Sequence, residues 1–355
     1  MGAARPVLVA LDAAGPQFVD GLLAAWDSGD AVLPVDPRVP AVARARLLAD
    51  MGAGRPVEDG DALVVATSGT TGRPKGVVLT HDAVRASALA VSRRLGVGPG
   101  DRWLACLPLA HVAGLAVVTR AVLTGTPLDV LAGFDAAAVA ASTATLVSLV
   151  PTTLRRVDPT RFRVVLLGGA AAPSGLPPNV VTTWGMTETG SGVVHDGVPL
   201  DGVEVRTDTE GQLLVRGPML LRCYRDGTDP KDADGWLPTG DVGEVGQDGR
   251  VSVHGRLDDL IVTGGENVWP HAVEGVLRAH PEVRDVAVVG RPDDEWGQRV
   301  VAVVVPDDPS RPPALESLRA WAREHLPAFA APRELRLVGE LPRTAAGKVE
   351  RHALL

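Results

Sequence analysis

Short apolar runs alternate along the first two thirds of the chain with stretches of helical spacing. Val7-Leu8-Val9-Ala10-Leu11, Ala31-Val32-Leu33-Pro34-Val35 and Ala62-Leu63-Val64-Val65-Ala66 each predict a buried strand. Trp103-Leu104-Ala105-Cys106-Leu107 and the runs beginning at Thr145 and Val164 predict more, as do Leu213–Gly217 and Val251–Gly255 on either side of Thr239-Gly240-Asp241. Helices are expected over residues 18–25 and 82–95, the second opened by Thr80-His81-Asp82. This alternation predicts a large layered α/β domain. From Val262 the pattern changes. Helices are predicted over 272–279 and 315–325, and strands over 283–289, 299–305 and 334–338, which makes a small α+β domain. The predicted division is 1–257 and 258–355.

The strand ending at Ala66 runs into Thr67-Ser68-Gly69-Thr70-Thr71-Gly72-Arg73-Pro74-Lys75-Gly76-Val77. Glycines let backbone N–H groups approach an anion, hydroxyls add donors, and Lys75 adds a point charge, all of which suits a polyphosphate. A surface hairpin turn uses the same residue types, so the loop alone leaves both readings open. Its spacing is not that of a Walker A loop.

Further clusters sit at strand ends, where α/β folds place ligands. His111 follows the strand at Trp103. Gly168-Gly169-Ala170 follows Val164-Val165-Leu166-Leu167, and a flat base can lie against that backbone. Trp184-Gly185-Met186-Thr187-Glu188, Thr239-Gly240-Asp241, Gly255-Arg256-Leu257-Asp258 and Leu341-Pro342-Arg343-Thr344-Ala345-Ala346-Gly347-Lys348 come next. Alone, His111 reads as a structural histidine, while Glu188 and Lys348 read as solvated charges. In this order the motifs resemble those of the adenylate-forming superfamily, which holds acyl-CoA synthetases, adenylation domains and luciferases.

The resemblance covers residues 67–348 and implies ATP, Mg²⁺ and CoA as reactants and cofactor. It implies that Thr67, Ser68, Gly69, Thr70, Thr71, Gly72 and Lys75 hold phosphate, Thr187 hydrogen-bonds it, and Glu188 holds Mg²⁺. It places Gly169, Ala170, Trp184, Gly185, Asp241 and Arg256 on the nucleotide. Lys348 becomes the catalytic lysine on a hinged C-terminal domain, Asp258 the pivot, and Gly264 with Gly265 the path of the CoA arm. Most members carry a longer segment before the phosphate loop, so the N-terminal domain is expected to have a truncated start.

Composition narrows the classes. A net charge of −8 and a pI of about 5.5 give no basic face for nucleic acid. Of the three lysines, Lys75, Lys231 and Lys348, two fall in the motifs. Cys106 and Cys223 are far apart, which favours a reducing cytoplasm over a disulfide scaffold. No signal peptide and no apolar run of membrane-spanning length is expected. The histidines lack metal-ligand spacing, and Asp232-x-Asp234-Gly235 lacks the remaining ligands of a calcium loop.

Between the motifs, His111-Val112-Ala113-Gly114-Leu115, Leu146-Val147-Ser148-Leu149-Val150-Pro151-Thr152 and Leu166-Leu167-Gly168-Gly169-Ala170 are similar to the 2-succinylbenzoate–CoA ligases of menaquinone biosynthesis. That acid has a second carboxylate to be recognised but not activated. Arg120 inside an apolar run is the candidate for it, joined by Ser148, Ser191, His111 and Gly168, although a structural ion pair would also explain a buried arginine. Other acyl- or aryl-CoA synthetases, a stand-alone enzyme loading a carrier protein, and a non-catalytic nucleotide-binding relative remain as alternatives. A homodimer is left open.

Overall fold

The structure, a computed structural model, describes residues 5–67, 74–343 and 349–355. It divides into two compact units. One comprises residues 1–205, 214–238 and 249–251, and the other 206–213, 239–248 and 252–355. The first is layered α/β.

One sheet of the first unit has the order Leu8–Asp12, Ala31–Val35, Asp61–Thr67, Lys75–Thr80, Cys223–Tyr224. Its first three strands run parallel, linked by the helices Gln17–Asp27 and Ala41–Met51. Asp61–Thr67 and Lys75–Thr80 then pair antiparallel, with Thr67 opposite Lys75. The phosphate-loop stretch therefore connects the arms of a β-hairpin, and the two readings of it concern one object. Residues 68–73 of that stretch lie outside the described residues.

A second, seven-stranded sheet has the order Val198–Pro199, Ser191–His195, Val180–Met186, Val164–Leu167, Leu146–Leu149, Trp103–Ala105, Leu128–Val130. The strands from Val180 onward in that order are parallel. Their apolar runs are continuous because both faces are buried. The helix His81–Arg94 starts at Thr80, whose hydroxyl accepts from Ala83 N–H at 3.2 Å.

Asp101 ties these parts together. It accepts from Arg163 Nη2 (2.6 Å) and Nε (2.8 Å), from Thr145 Oγ1 (2.8 Å) and from Gly98 N–H (2.9 Å). Arg163 above all, against the opposing cost of burial, holds this carboxyl down to about 2. Because the folded pKa lies below the ordinary 3.8, the stabilisation is full above about pH 4 and is lost as pH falls through 2. Asp101→Asn should cost about 2–3 kcal/mol at neutral pH and leave a flatter acid-unfolding profile than the native chain, read by circular dichroism.

A four-stranded sheet, Glu204–Thr207, Gln212–Arg216, Leu237–Val245, Val251–Arg256, holds the Thr239-Gly240-Asp241 motif. The sequence reading leaves that motif between strands. Instead the strand Leu237–Val245 runs through it, since Thr239 Oγ1 donates to Leu213 O (2.7 Å) and Gly240 N–H to Gln212 Oε1 (2.9 Å).

In the second unit the strands Val283–Asp293 and Gly297–Pro306 form a long hairpin joined by Ile261–Thr263, Glu266–Val268 and Glu334–Leu337. The hairpin outruns the apolar pattern, because Arg299 pairs with Asp293 at 2.9 Å and carries the ladder into polar sequence. Val300, Ala302 and Val304 pack with the helices Pro270–Arg278 and Leu315–His325. Val301, Val303 and Val305 face the other way, against Leu341, Leu354, Val338 and Val349. The second face of this sheet is thus covered by the chain on either side of residues 344–348.

Candidate active site

Lys75 and Glu188 are remote in sequence and meet through a residue the motifs did not single out. Tyr224 lies opposite Val77 across the Cys223–Tyr224 edge of the first sheet. Lys75 is two residues before Val77, on the same face of its strand. Its ammonium sits 4.8 Å from the centre of the Tyr224 ring. The Tyr224 hydroxyl donates to Glu188 Oε1 at 3.0 Å. Burial first, and then the Glu188 charge, push the phenol above its ordinary pKa, so it stays a donor.

Glu188 lies in the short 3-10 helix Thr187–Thr189, and its carbonyl accepts Leu221 N–H at 2.7 Å. Gly185 passes so close to the next strand that a Cβ there would lie 2.3 Å from Ser191 O. Trp184 and Thr187 are half-buried on either side of it. Glu188 offers a carboxylate steadied at one oxygen, and Mg²⁺ takes one or two carboxylates together with phosphate oxygens and water. The donor set fits a cation that arrives with a polyphosphate.

Arg120 emerges from the helix Val112–Thr124 and is 1% exposed. Its Nη2 donates to Ser191 Oγ at 3.2 Å, and the guanidinium lies 4.9 Å from the Trp103 ring centre. Nε and Nη1 are buried and unpartnered. No carboxylate pairs with it among the described residues, so the structural ion pair is not what holds it. Burial pushes its pKa down to about 10, which leaves it charged at neutral pH.

His195, fully buried on the strand Ser191–His195, has both ring nitrogens unpartnered. Burial, then the charges of Arg120 and Arg94, push it down to about 3 and keep it neutral. Thr183, its cross-strand neighbour, has an unpartnered hydroxyl as well. A buried polar atom without a partner costs roughly 1–3 kcal/mol, so Arg120, Thr183 and His195 mark a place suited to a polar group.

Ser148 is buried at 7% exposure in the strand Leu146–Leu149, and Gly168 follows the adjacent strand end. Gly169 and Ala170 are exposed there, as a base-stacking backbone requires. His111 precedes the helix Val112–Thr124 as its N-cap residue. Asp36, held low mainly by Arg38, feels a smaller contribution from His111, which places that ring within electrostatic reach. Cys106 is pushed up to about 12 by burial and is inert as a thiol.

In the second unit, Asp241 Oδ1 accepts from Arg256 Nη1 at 3.3 Å, and the same nitrogen donates to Thr239 O at 2.9 Å. Asp258 falls in the 3-10 turn Leu257–Asp259. Gly264 and Gly265, both at positive φ, form the two-residue turn between Thr263 and Glu266. A Cβ on Gly264 would lie 2.8 Å from the Trp296 ring, so the turn alone accounts for a glycine there. Ser68, Gly69, Thr70, Thr71, Gly72 and Lys348 lie outside the described residues.

Sequence reasoning missed Tyr224 and His195. Neither sits in a recognisable motif. The one available signal was that Tyr224 is the chain's single tyrosine, in a polar stretch where a bulky aromatic needs a reason.

Comparison with known proteins follows the same lines. The AMP-binding enzyme family matches residues 54–225, and the AMP-binding enzyme C-terminal domain matches 272–348. A Mycobacterium tuberculosis protein named "Probable 2-succinylbenzoate–CoA ligase" is 44% identical over 87% of this chain and 88% of its own length. A Bacillus cereus 2-succinylbenzoate–CoA ligase is 35% identical over 82% of this chain and 69% of its own. The o-succinylbenzoate CoA synthetase of Bacillus subtilis superposes with a TM-score of 0.87 at 27% identity. It was solved with the acyl-adenylate OSB-AMP (99% of this chain, 88% of that one) and with ATP and magnesium ion (99% and 90%).

Proposed function

The chain belongs to the AMP-binding enzyme family and is an AMP-forming acid–CoA ligase, and we propose that it activates 2-succinylbenzoate for menaquinone biosynthesis through the residues assigned below. A carboxylate oxygen of the acid attacks the α-phosphorus of ATP, the bond to the β-phosphate breaks, and pyrophosphate leaves. The CoA sulfur then attacks the acyl carbonyl, the bond to the phosphate oxygen breaks, and AMP leaves.

The first step brings anions together, so positioning and charge stabilisation dominate. Lys75, Thr187 and the loop from Thr67 to Gly72 hold the phosphates. Glu188 holds Mg²⁺, which when bound neutralises phosphate charge. Trp184, Gly185, Gly169 and Ala170 take the base, while Asp241 and Arg256 take the ribose side. Asp241 is suited to this, since a carboxylate only accepts and a ribose offers two hydroxyl donors. Lys348 is assigned to the reacting carboxylate and α-phosphate. Residues 258–355 are assigned as the mobile domain, with Asp258 as pivot and Gly264 and Gly265 on the CoA path. Arg120, Ser191, Ser148, Gly168 and His111 take the acid. The cytoplasm, where ATP and CoA are supplied and the buried thiols stay reduced, is the proposed compartment.

The observation that carries the reading is the Lys75–Tyr224–Glu188 contact, which joins two phosphate-handling motifs that share no local sequence. Pyrophosphate release with ATP, Mg²⁺ and a panel of acids, each with and without CoA, tests it. Turnover is expected with 2-succinylbenzoate and not with benzoate or medium- and long-chain fatty acids. Turnover on the simple acids alone would discard the substrate and keep the mechanism.

A further inference from the structure

We propose that Tyr224 is a positioning residue for both phosphate-side groups: its hydroxyl fixes the Glu188 carboxylate for the metal, and its ring face fixes the Lys75 ammonium. The inference rests on the assignment of Glu188 as the Mg²⁺ ligand and adds the residue that orients it.

Three observations carry it. The first is the double contact itself, 3.0 Å to Glu188 Oε1 and 4.8 Å from Lys75 Nζ to the ring centre. With Oε1 engaged by the phenol, Oε2 remains as the acceptor that a metal would take. Hydrogen-bonded outer partners of this kind hold metal-binding carboxylates in the orientation the metal needs.

The second is the rigidity of the strand that bears Tyr224. Lys231 Nζ donates to Leu221 O (2.8 Å) and Arg222 O (2.9 Å). Arg222 forks onto Asp61 at 2.9 and 3.0 Å. Arg225 donates through Nε to Met51 O and through its backbone N–H to Gly76 O, at 3.0 and 2.7 Å. The backbone on either side of Tyr224 is thus clamped to the phosphate-loop hairpin, which fixes the point from which its side chain reaches Glu188 and Lys75.

The third is the chemistry of the two halves. The phenol is a donor aimed at an acceptor, and the ring is a quadrupole aimed at a cation, so one residue serves two oppositely charged groups. Lysine has a flexible four-carbon stem, and an aromatic face is an effective way to limit where its charge can go.

The two halves separate by substitution. Tyr224→Phe keeps the ring and removes the hydroxyl, and Tyr224→Leu removes both. Calorimetry would measure ATP binding with Mg²⁺ and with EDTA, alongside the Mg²⁺ dependence of pyrophosphate release. Circular dichroism would verify the fold of each variant. Tyr224→Phe should raise the Mg²⁺ concentration for half-maximal rate about 10-fold or more while metal-free ATP affinity stays unchanged. Tyr224→Leu should show the same Mg²⁺ shift and also weaken ATP in EDTA about 3-fold or more. An unaltered Mg²⁺ dependence in Tyr224→Phe would overturn the inference, as would equal weakening of ATP with and without metal. Glu188→Gln separates the premise from the inference. If it leaves Mg²⁺ dependence untouched, the assignment of Glu188 fails and this inference fails with it. If Glu188→Gln shifts the dependence and Tyr224→Phe does not, Tyr224 alone is wrong.

Discussion

Lys348→Ala should slow adenylate formation about 10²–10³-fold while ATP binding stays within about 2-fold of the native value. A single preorganised cation at a developing charge is worth roughly 10²–10³ in rate. A binding contribution common to ground and transition states would appear in KM instead. Pyrophosphate release under saturating ATP and acid measures the first quantity, and calorimetric ATP titration the second. Val338, Leu341, Val349 and Leu354, on the chain flanking Lys348, pack against Val301, Val303 and Val305. Arg343 and Val349 form a bridge across the intervening residues, and Glu350 N–H donates to Pro342 O at 2.9 Å. A variant that released pyrophosphate at the native rate would remove Lys348 from the mechanism.

Arg120→Met gives the second large effect, with opposite signs in stability and function. The unliganded chain buries a guanidinium with two unpartnered nitrogens, and replacing a buried, poorly paired charge by an apolar group of similar length is often neutral or stabilising by about 1–4 kcal/mol. Thermal unfolding without ligand should therefore show an equal or higher Tm. The KM for 2-succinylbenzoate should rise on the order of 10²-fold, the cost of a lost charge-assisted pair in a dry site, with KM for ATP nearly unchanged. A fall in Tm together with equal losses for both substrates would make Arg120 a structural residue. The comparison also asks why such an arginine is kept, since packing alone would favour methionine or leucine.

Much of the candidate site is written in short contiguous stretches, which is why it could be proposed from the sequence. Glu188 follows Trp184-Gly185-Met186-Thr187, and Lys75 closes a loop of hydroxyls and glycines. Arg120 was legible for a different reason: a charge inside an apolar helix must have a purpose, whatever the fold. The bond from Arg120 to Ser191 was not legible, because helix and strand meet through packing that no local pattern encodes. The contacts of Tyr224 were hidden for the same reason, although its being the single tyrosine was a signal. Its meaning comes from a strand of two residues that docks on a hairpin edge far away in sequence.

The strands and helices that the pattern predicts follow from local periodicity, which depends on neighbours within a few residues. The strand through Thr239-Gly240-Asp241 and the far end of the Val283–Asp293 hairpin come instead from pairing with a neighbouring strand. The sequence by itself determined the α/β class, the change of pattern near Val262, and the residue types available for phosphate, metal and acid. Tertiary structure decided which of them touch. Long-range pairing sets Tyr224 between Lys75 and Glu188, and close packing leaves Arg120 and His195 with unpartnered nitrogens. Those facts arise from burial and register between distant segments, and burial is a property of the folded chain as a whole.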